Sequence, residues 1–443
     1  MKNKTVLAGI MAAGVALCFL SGCGRVEDNN VEKTNAQASV IGESAGAESA
    51  NSESKEVEME TWKTAIDGLS EDFLFGMDVS SLLSEEKSGV KYYDFDGNEK
   101  DALKTFADLG INYIRLRVWN DPHDENGNSY GGGNNDIATT IELGKRATEY
   151  GMRVYIDFHY SDFWADPAKQ HAPKAWEGMN LEDKSDALYD FTKDSLNRLL
   201  DAGVDVGMVQ IGNEINNGMS GETKQENIIE LLKSGSRAVR EVSSERGKDI
   251  GIAVHYTDIS PKEGVISLIE KLVNSGLDFD MVGLSYYPYW HGDMDNMSSV
   301  IEYIGEHLGK KAFIAETSYC YTTEDGDGYT NRIGKADVVA GYPASPEGQA
   351  SFMHDLYNRV NSAGGIGVFY WEGAWIPVGA PNADNKEIWE KYGSGWASSF
   401  ASNYDKDAAV YHGGCAWENQ TFFDFKGHPL ESIKVFKYMK TGQ

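Results

Sequence analysis

Residues Val206-Gly-Met-Val-Gln-Ile-Gly-Asn-Glu214 decide how the chain is read. Val206, Met208, Val209 and Ile211 form a short apolar run without helical period, which predicts a buried strand ending at Gly212, Asn213 and Glu214. A helix-like segment with Ala187, Leu188, Phe191, Leu196, Leu199 and Leu200 precedes it and closes on Ala202-Gly203. A carboxylate at the C-terminal tip of a buried strand is what a barrel active site is built from. A second one, Glu316, ends the comparable run Lys311-Ala-Phe-Ile-Ala-Glu316. Two carboxyls on two strand tips are the minimal equipment for cleaving a glycosidic bond.

Working outward, the same unit recurs: an amphipathic helix, a glycine, a short apolar strand. Gly110 leads into Asn112–Val118, Gly151 into Met152–Phe158, Gly247 into Ile250–His255, Gly276 into Phe279–Leu284, Gly309 into the Glu316 strand, and Gly364 into Ile366–Trp371. Glycine tolerates the left-handed conformation that ends a helix, so each is a stop signal. With a first strand at Phe73–Asp78 and a last helix at Glu431–Met439, the pattern predicts eight parallel strands alternating with helices. That is an α/β fold closed into an eight-stranded (β/α)8 TIM barrel. An open doubly wound sheet would need a Gly-rich phosphate loop after its first strand, and none is present. Helix-to-strand links are tight, whereas 119–135, 159–182, 317–345 and 372–427 are long. Function in this fold sits on such loops.

The formal net charge is −29, without a cluster of Lys and Arg, which disfavours nucleic acid and anionic lipid as partners. A neutral ligand and a monomer are expected. The chain is 11% aromatic, with 10 Trp and 23 Tyr, more than a core needs, so some should line a cleft. Residues 1–22 read as a signal peptide, with Lys2 and Lys4 before an apolar run too short for a membrane span. Leu20-Ser-Gly-Cys23 resembles a bacterial lipobox, which implies lipidation at Cys23 and a lipid anchor as the sole membrane contact. Ordinary secretory cleavage is the alternative, and both export the protein. Residues 23–61, acidic and rich in Ser, Ala and Asn, read as a disordered tether, leaving 62–443 as the catalytic domain.

Reading the strand tips in order gives Asp78, Arg117, Asp157 and His159, Asn213 and Glu214, His255, Tyr287, Glu316 and Trp371. Polar groups converging from nearly every strand describe a site. Retaining hydrolysis needs two carboxyls about 5–5.5 Å apart, one protonated and one ionised. Trp371 is a floor on which a sugar face can stack. His159 and His255 are candidates for contact with substrate or with a group that touches it. Trp164, Trp290 and Trp375 fit a cleft or plain packing equally, and Gly131-Gly-Gly133 fits a tight loop.

Asn213-Glu214 with Glu316 resembles the large clan of retaining glycosidases built on eight-stranded barrels. Within it the chain is similar to the arabinogalactan endo-β-1,4-galactanases, glycoside hydrolase family 53, over essentially all of 62–443. The resemblance rests on Arg115-Leu-Arg-Val-Trp-Asn-Asp-Pro-His123, Tyr130-Gly-Gly-Gly-Asn134, Asp157-Phe-His-Tyr-Ser-Asp162, Trp164-Ala-Asp-Pro-Ala-Lys-Gln170, Gln210-Ile-Gly-Asn-Glu-Ile-Asn-Asn-Gly218 and Ala315-Glu-Thr317. It implies Glu214 as acid/base, Glu316 as nucleophile and Asn213 on the sugar 2-hydroxyl. It further implies that Arg117 and Tyr287 hold and ionise the nucleophile, and that Asp166, Pro167, Ala168 and Lys169 contact the sugar chain. The implied substrate is plant cell-wall galactan. The alternatives are another retaining endo-β-glycosidase of the clan, such as a mannanase or glucanase, or a non-catalytic glycan-binding lipoprotein.

Asp325-Gly-Asp-Gly-Tyr-Thr-Asn331 spaces oxygen donors with glycines, as hard cations prefer, although an acidic surface turn has the same look. It resembles the calcium loop of bacterial members of the family, implying structural calcium held by Asp325, Asp327, Tyr329 (through its carbonyl), Asn331, Cys415 and Glu418. Where the family has Ser and Asp three residues apart, this chain has Cys415 and Glu418, and Tyr329 replaces a His. Cys320 and Cys415 lie on loops that one calcium would draw together. A disulfide between them is a weaker expectation, set against two buried free thiols.

Overall fold

The computed structural model describes residues 61–380 and 383–443. The signal peptide, Cys23 and all of the tether but Thr61 lie outside the described residues. Eight strands, β1 Leu74–Asp78, β2 Tyr113–Val118, β3 Arg153–Phe158, β4 Val206–Ile211, β5 Gly251–Tyr256, β6 Met281–Ser285, β7 Lys311–Glu316 and β8 Gly367–Tyr370, pair in parallel and close into a barrel in chain order. They fall within two residues of the runs expected from the apolar pattern. Among the described residues, no helix is long and apolar enough to cross a membrane.

Helices α1 Leu82–Lys87 and α2 Ala102–Asp108 follow β1, and α3 Ile137–Glu149, α4 Leu181–Asp201 and α5 Gln225–Arg246 follow the next three strands. α6 Lys262–Asn274, α7 Met294–Leu308 and α8 Pro346–Ser362 complete the ring up to β8. After β8 the chain makes the short α9 Lys386–Tyr392 within the last loop and ends in α10 Val435–Thr441, preceded by a 3-10 turn at Glu431–Lys434. The seven glycines that close the helices all have positive φ, from 60° at Gly247 to 99° at Gly110. Starts are as well marked: Asp136, Asn180, Asp293 and Ser345 each accept a backbone N–H from the first turn.

Period-two alternation sends every second strand residue into the barrel. The lower layer is apolar: Tyr113, Tyr155, Met208, Ala253, Met281, Phe313 and Phe369 fill it. Gly76 and Gly283 sit where a Cβ would meet Phe369 at 2.0 Å and Ala315 at 2.9 Å, so the plug leaves no room for more. One pleat higher the inward residues turn polar, beginning with Arg115, Asp157, Gln210 and His255, all buried. The plug therefore forms the floor of the site.

Candidate active site

Glu214 follows β4 with φ at 45°, a left-handed conformation that is strained for a side-chain-bearing residue. Its Oε1 accepts from Ser285 Oγ at 2.7 Å. Glu316, at the end of β7, accepts from Tyr287 OH at 3.1 Å on Oε2 and pairs through Oε1 with Arg115 Nη2 at 2.8 Å. Burial raises the pKa of both carboxyls; at Glu214 the Glu316 charge adds to the rise, whereas at Glu316 the Arg115 guanidinium opposes it. Glu214 is displaced further, well above the carboxylate range. Of the two, Glu214 keeps the proton and Glu316 the charge.

The expected partnership of Glu316 with Arg117 is corrected: Arg115, two residues earlier, holds it. Arg115 also pairs with Asp78 at 3.0 Å and Asp157 at 2.8 Å, and donates to Asn213 Oδ1 at 3.1 Å. Against the cost of burial, the Arg115 guanidinium, helped by the hydrogen bond from His159, holds Asp157 down at about 2. Arg117 pairs instead with Glu372 at 2.5 Å and donates to the Gly132 carbonyl at 3.0 Å. Its guanidinium lies 4.3 Å from the Trp164 ring centre and 5.8 Å from that of Trp371. Arg117 is thus a cationic backing for the tryptophan wall. A Cβ at Gly132 would fall 2.8 Å from Trp119 and 2.9 Å from Trp164, so the triple glycine lets the backbone pass beneath that wall.

Both histidines are enclosed. His159 Nδ1 accepts from Trp119 Nε1 and from the Ala165 N–H, each at 3.1 Å, which leaves Nε2–H for Asp157 at 3.1 Å. Its ring is fully used in fixing Asp157 and the β3 loop. His255 bridges Asn213 at 2.8 Å and Ser285 at 3.0 Å. Asp78 is buried and spends Oδ1 on the Ser80 N–H and hydroxyl. Asn213, oriented by its Nδ2 donating to the Ala165 carbonyl at 2.8 Å, retains a second amide proton.

The Asp166–Lys169 stretch is a tight turn closed by reciprocal backbone bonds at 3.1 and 3.0 Å, and Gln170 ties it to the Asn213 carbonyl at 2.9 Å. Lys169 is committed to Asp405 at 2.9 Å and Asp407 at 2.7 Å in the last loop. Trp371 is half-buried among Trp164, Trp375 and Trp417, with ring centres 6.2, 6.1 and 5.0 Å away. Trp375 is packing, buried with Nε1 on the Ser394 carbonyl at 2.9 Å, whereas Trp290 is 42% exposed beside Tyr287. The residues missed in the sequence are Arg115, Gln210, Ser285 and Glu372. Arg115 and Gln210 share the inward parity of Arg117 and Met208, a signal that was there to use.

Away from the cleft, Asp325, Asp327 and Glu418 bring one oxygen each within 4.8 Å of one another. Glu418 Oε2 and Asn331 Oδ1 are buried without a hydrogen-bond partner. Burial first, then the neighbouring carboxylates, pushes Glu418 up to about 9 and Asp327 to about 6. An all-oxygen set with unsatisfied buried acceptors fits a hard cation. Cys415 meets the cluster through its backbone, its N–H donating to Asp327 at 2.8 Å, and its thiol lies against Trp375 and Trp417. Neither atom is a calcium ligand. Tyr329 likewise donates its N–H to Asp327, at 2.7 Å. The suggested disulfide is absent: Cys320 and Cys415 are buried free thiols.

An eight-stranded barrel with two electrostatically distinguished carboxyls on β4 and β7 has the architecture of a glycoside hydrolase. The profile of Glycosyl hydrolase family 53 matches residues 74–436, and the chain belongs to that family. It is 48% identical over 382 residues to the endo-beta-1,4-galactanase of Bacillus subtilis, covering 85% of this chain and 88% of the relative. It is 32% identical to the arabinogalactan endo-beta-1,4-galactanase of Cellvibrio japonicus over 82% and 90% of the two chains. The solved GH53 catalytic domain of Ignisphaera aggregans superposes with a TM-score of 0.75 at 38% identity, covering 85% of this chain and 98% of that one.

Proposed function

We propose that the protein is an endo-acting β-1,4-galactanase that hydrolyses galactan chains with retention, Glu214 serving as acid/base and Glu316 as nucleophile. The observation that carries the reading is the asymmetry of the carboxyl pair: Arg115 opposes protonation of Glu316, while the groups around Glu214 are hydroxyls and further carboxyls. Glu316 attacks the anomeric carbon as Glu214 protonates the departing oxygen, forming a glycosyl ester on Glu316. Glu214, now ionised, takes a proton from water, which attacks the same carbon and releases Glu316. Trp371 offers the stacking face and Asn213 its free amide proton to the sugar in this position.

Glu316→Ala should abolish turnover of galactan. Glu214→Ala should also fail on galactan yet still react with an aryl galactoside carrying a good leaving group, with azide rescuing the second half and giving a β-azide product. Near-normal galactan hydrolysis by Glu316→Ala would overturn the assignment. Three further parts belong to this reading: export, a lipid at Cys23, and a calcium ion held by Asp325, Asp327, Asn331 and Glu418. The lipobox supports the second and the oxygen cluster the third. A wild-type protein that partitions wholly into the aqueous phase of a detergent separation would exclude the lipid.

A further inference from the structure

Ser285, the last residue of β6, is fully buried, and its Oγ lies 2.7 Å from Glu214 Oε1 and 3.0 Å from His255 Nε2. What the hydroxyl does depends on the tautomer of His255. Asn213 is fixed in orientation, its Nδ2 on the Ala165 carbonyl and its Oδ1 accepting from Arg115, so an acceptor oxygen faces His255 Nδ1 at 2.8 Å. A proton must lie between those two atoms, and only the imidazole can supply it. Gln210 Nε2, 3.1 Å from Nδ1, has Asp157, the Gly212 carbonyl and Asn213 Oδ1 as its own acceptors. The Glu214 N–H, 3.4 Å from Nδ1, is a longer contact that the 2.8 Å approach of Asn213 Oδ1 outweighs. Burial keeps the His255 ring neutral, its pKa well below the ordinary value. Nδ1 carries the ring proton, and Nε2 is an acceptor.

A hydroxyl has one proton to give. Two acceptors, His255 Nε2 and Glu214 Oε1, lie within reach of it. While Glu214 is protonated, Oε1–H donates to Ser285 Oγ and Ser285 donates to His255. Once Glu214 is ionised, the hydroxyl rotates and donates to the carboxylate.

Taking Glu214 as the acid/base proposed above, we propose that Ser285 is a positioning residue whose hydroxyl proton alternates between His255 and Glu214 as Glu214 gives up and regains its own. No bond to Ser285 breaks: the Glu214 proton goes to the departing oxygen, and the Ser285 proton only swings. The carboxylate gains a charge-assisted hydrogen bond as it forms, without water having to enter. The other groups facing Glu214 are the Glu316 and Asp166 carboxyls, the Thr257 hydroxyl and the phenol of Tyr287. Of these donors, Ser285 is shared with His255 at 3.0 Å, whereas the Thr257 hydroxyl lies 3.3 Å from His291 Nε2.

The pH dependence of kcat/KM on galactan tests this, because its alkaline limb reports loss of the Glu214 proton in the free enzyme. Ser285→Ala removes a donor that serves the ionised form more than the neutral one, so that limb should move up by about half to one pH unit, with the acid limb in place. His255→Leu removes the competing acceptor, commits Ser285 to the carboxylate, and should move the limb down. Carbon-13 titration of the Glu214 carboxyl, read without turnover, should give the Ser285→Ala shift even where His255→Leu folds poorly. An unmoved limb in Ser285→Ala, or the same direction in both variants, would overturn the proposal. If Glu214→Ala hydrolyses galactan unaided, the acid/base assignment falls and this proposal with it. An azide-rescued Glu214→Ala beside an unmoved Ser285→Ala limb defeats the Ser285 proposal alone.

Discussion

Arg115 Nη2 lies 2.8 Å from Glu316 Oε1, and the same guanidinium also serves Asp78 and Asp157. One cation faces three buried carboxylates. The charge of Glu316 therefore rests on a fork whose prongs are already shared, which a point charge cannot reproduce.

Arg115→Lys should lower kcat/KM on galactan by about 10²–10³, the usual cost of one electrostatic stabiliser. The pH profile carries the sharper test. Burial raises the Glu316 pKa and Arg115 opposes the rise. Weakening that opposition moves the pKa up, and because the nucleophile must be ionised, activity should be lost at higher pH on the acid side. An acid limb at its wild-type position would contradict the role given to Arg115.

Glu372 is buried with φ at 51°, pairs with Arg117 at 2.5 Å and accepts from Ser81 Oγ at 2.7 Å. Glu372→Ala leaves the Arg117 guanidinium without its nearest counter-charge; Asp78 stands 3.6 Å away. Breaking a buried pair in this way costs about 3–5 kcal/mol. Urea denaturation should register that loss, together with a shift in tryptophan emission as Trp164 loses its backing. A loss below about 1 kcal/mol would mean that the pair is redundant.

Calcium should stabilise the protein in a pH-dependent way. In the metal-free protein Asp327 is pushed up to about 6 and Glu418 to about 9, above their values in an unfolded chain. A carboxyl with a raised folded pKa contributes stability at low pH that is lost as pH climbs through that value. Chelated protein should therefore lose Tm progressively from about pH 4 to pH 9. Calcium replaces those protons, so the loaded protein should not show this fall, and its affinity should increase over the same range. Equal Tm with and without chelator at pH 8 would exclude the ion.

The barrel was legible because its punctuation is chemical. A helix that must turn back into a strand needs left-handed backbone, and Gly110, Gly247 and Gly364 announce it. Glu214 and Glu316 were legible for a similar reason, as polar residues closing apolar runs. Depth inside the barrel was not. Arg115 and Arg117 point the same way, and which of them meets Glu316 depends on strand stagger, which no local pattern encodes. Ser285 was hidden by an irregularity in the β6–β7 pairing between Leu284 and Ser285, which changes what the strand tip presents. The ion pairs of Lys169, which the resemblance assigns to the sugar chain, were hidden because Asp405 and Asp407 lie far along the chain. The backbone contact of Cys415 with Asp327 was not legible either, because it joins loops 88 residues apart.

The barrel begins and finishes at one place. Trp62 packs edge-on against Tyr438 with ring centres 5.5 Å apart, and the Ile66 N–H donates to the Met439 carbonyl at 2.9 Å. Residues 61–73 lead into the N-terminal end of β1, and parallel strands put that rim opposite the tips that carry Glu214 and Glu316. Coupling the domain to a bead or an electrode through either of these segments would leave the cleft pointing outward, open to a polymer too long to diffuse beneath.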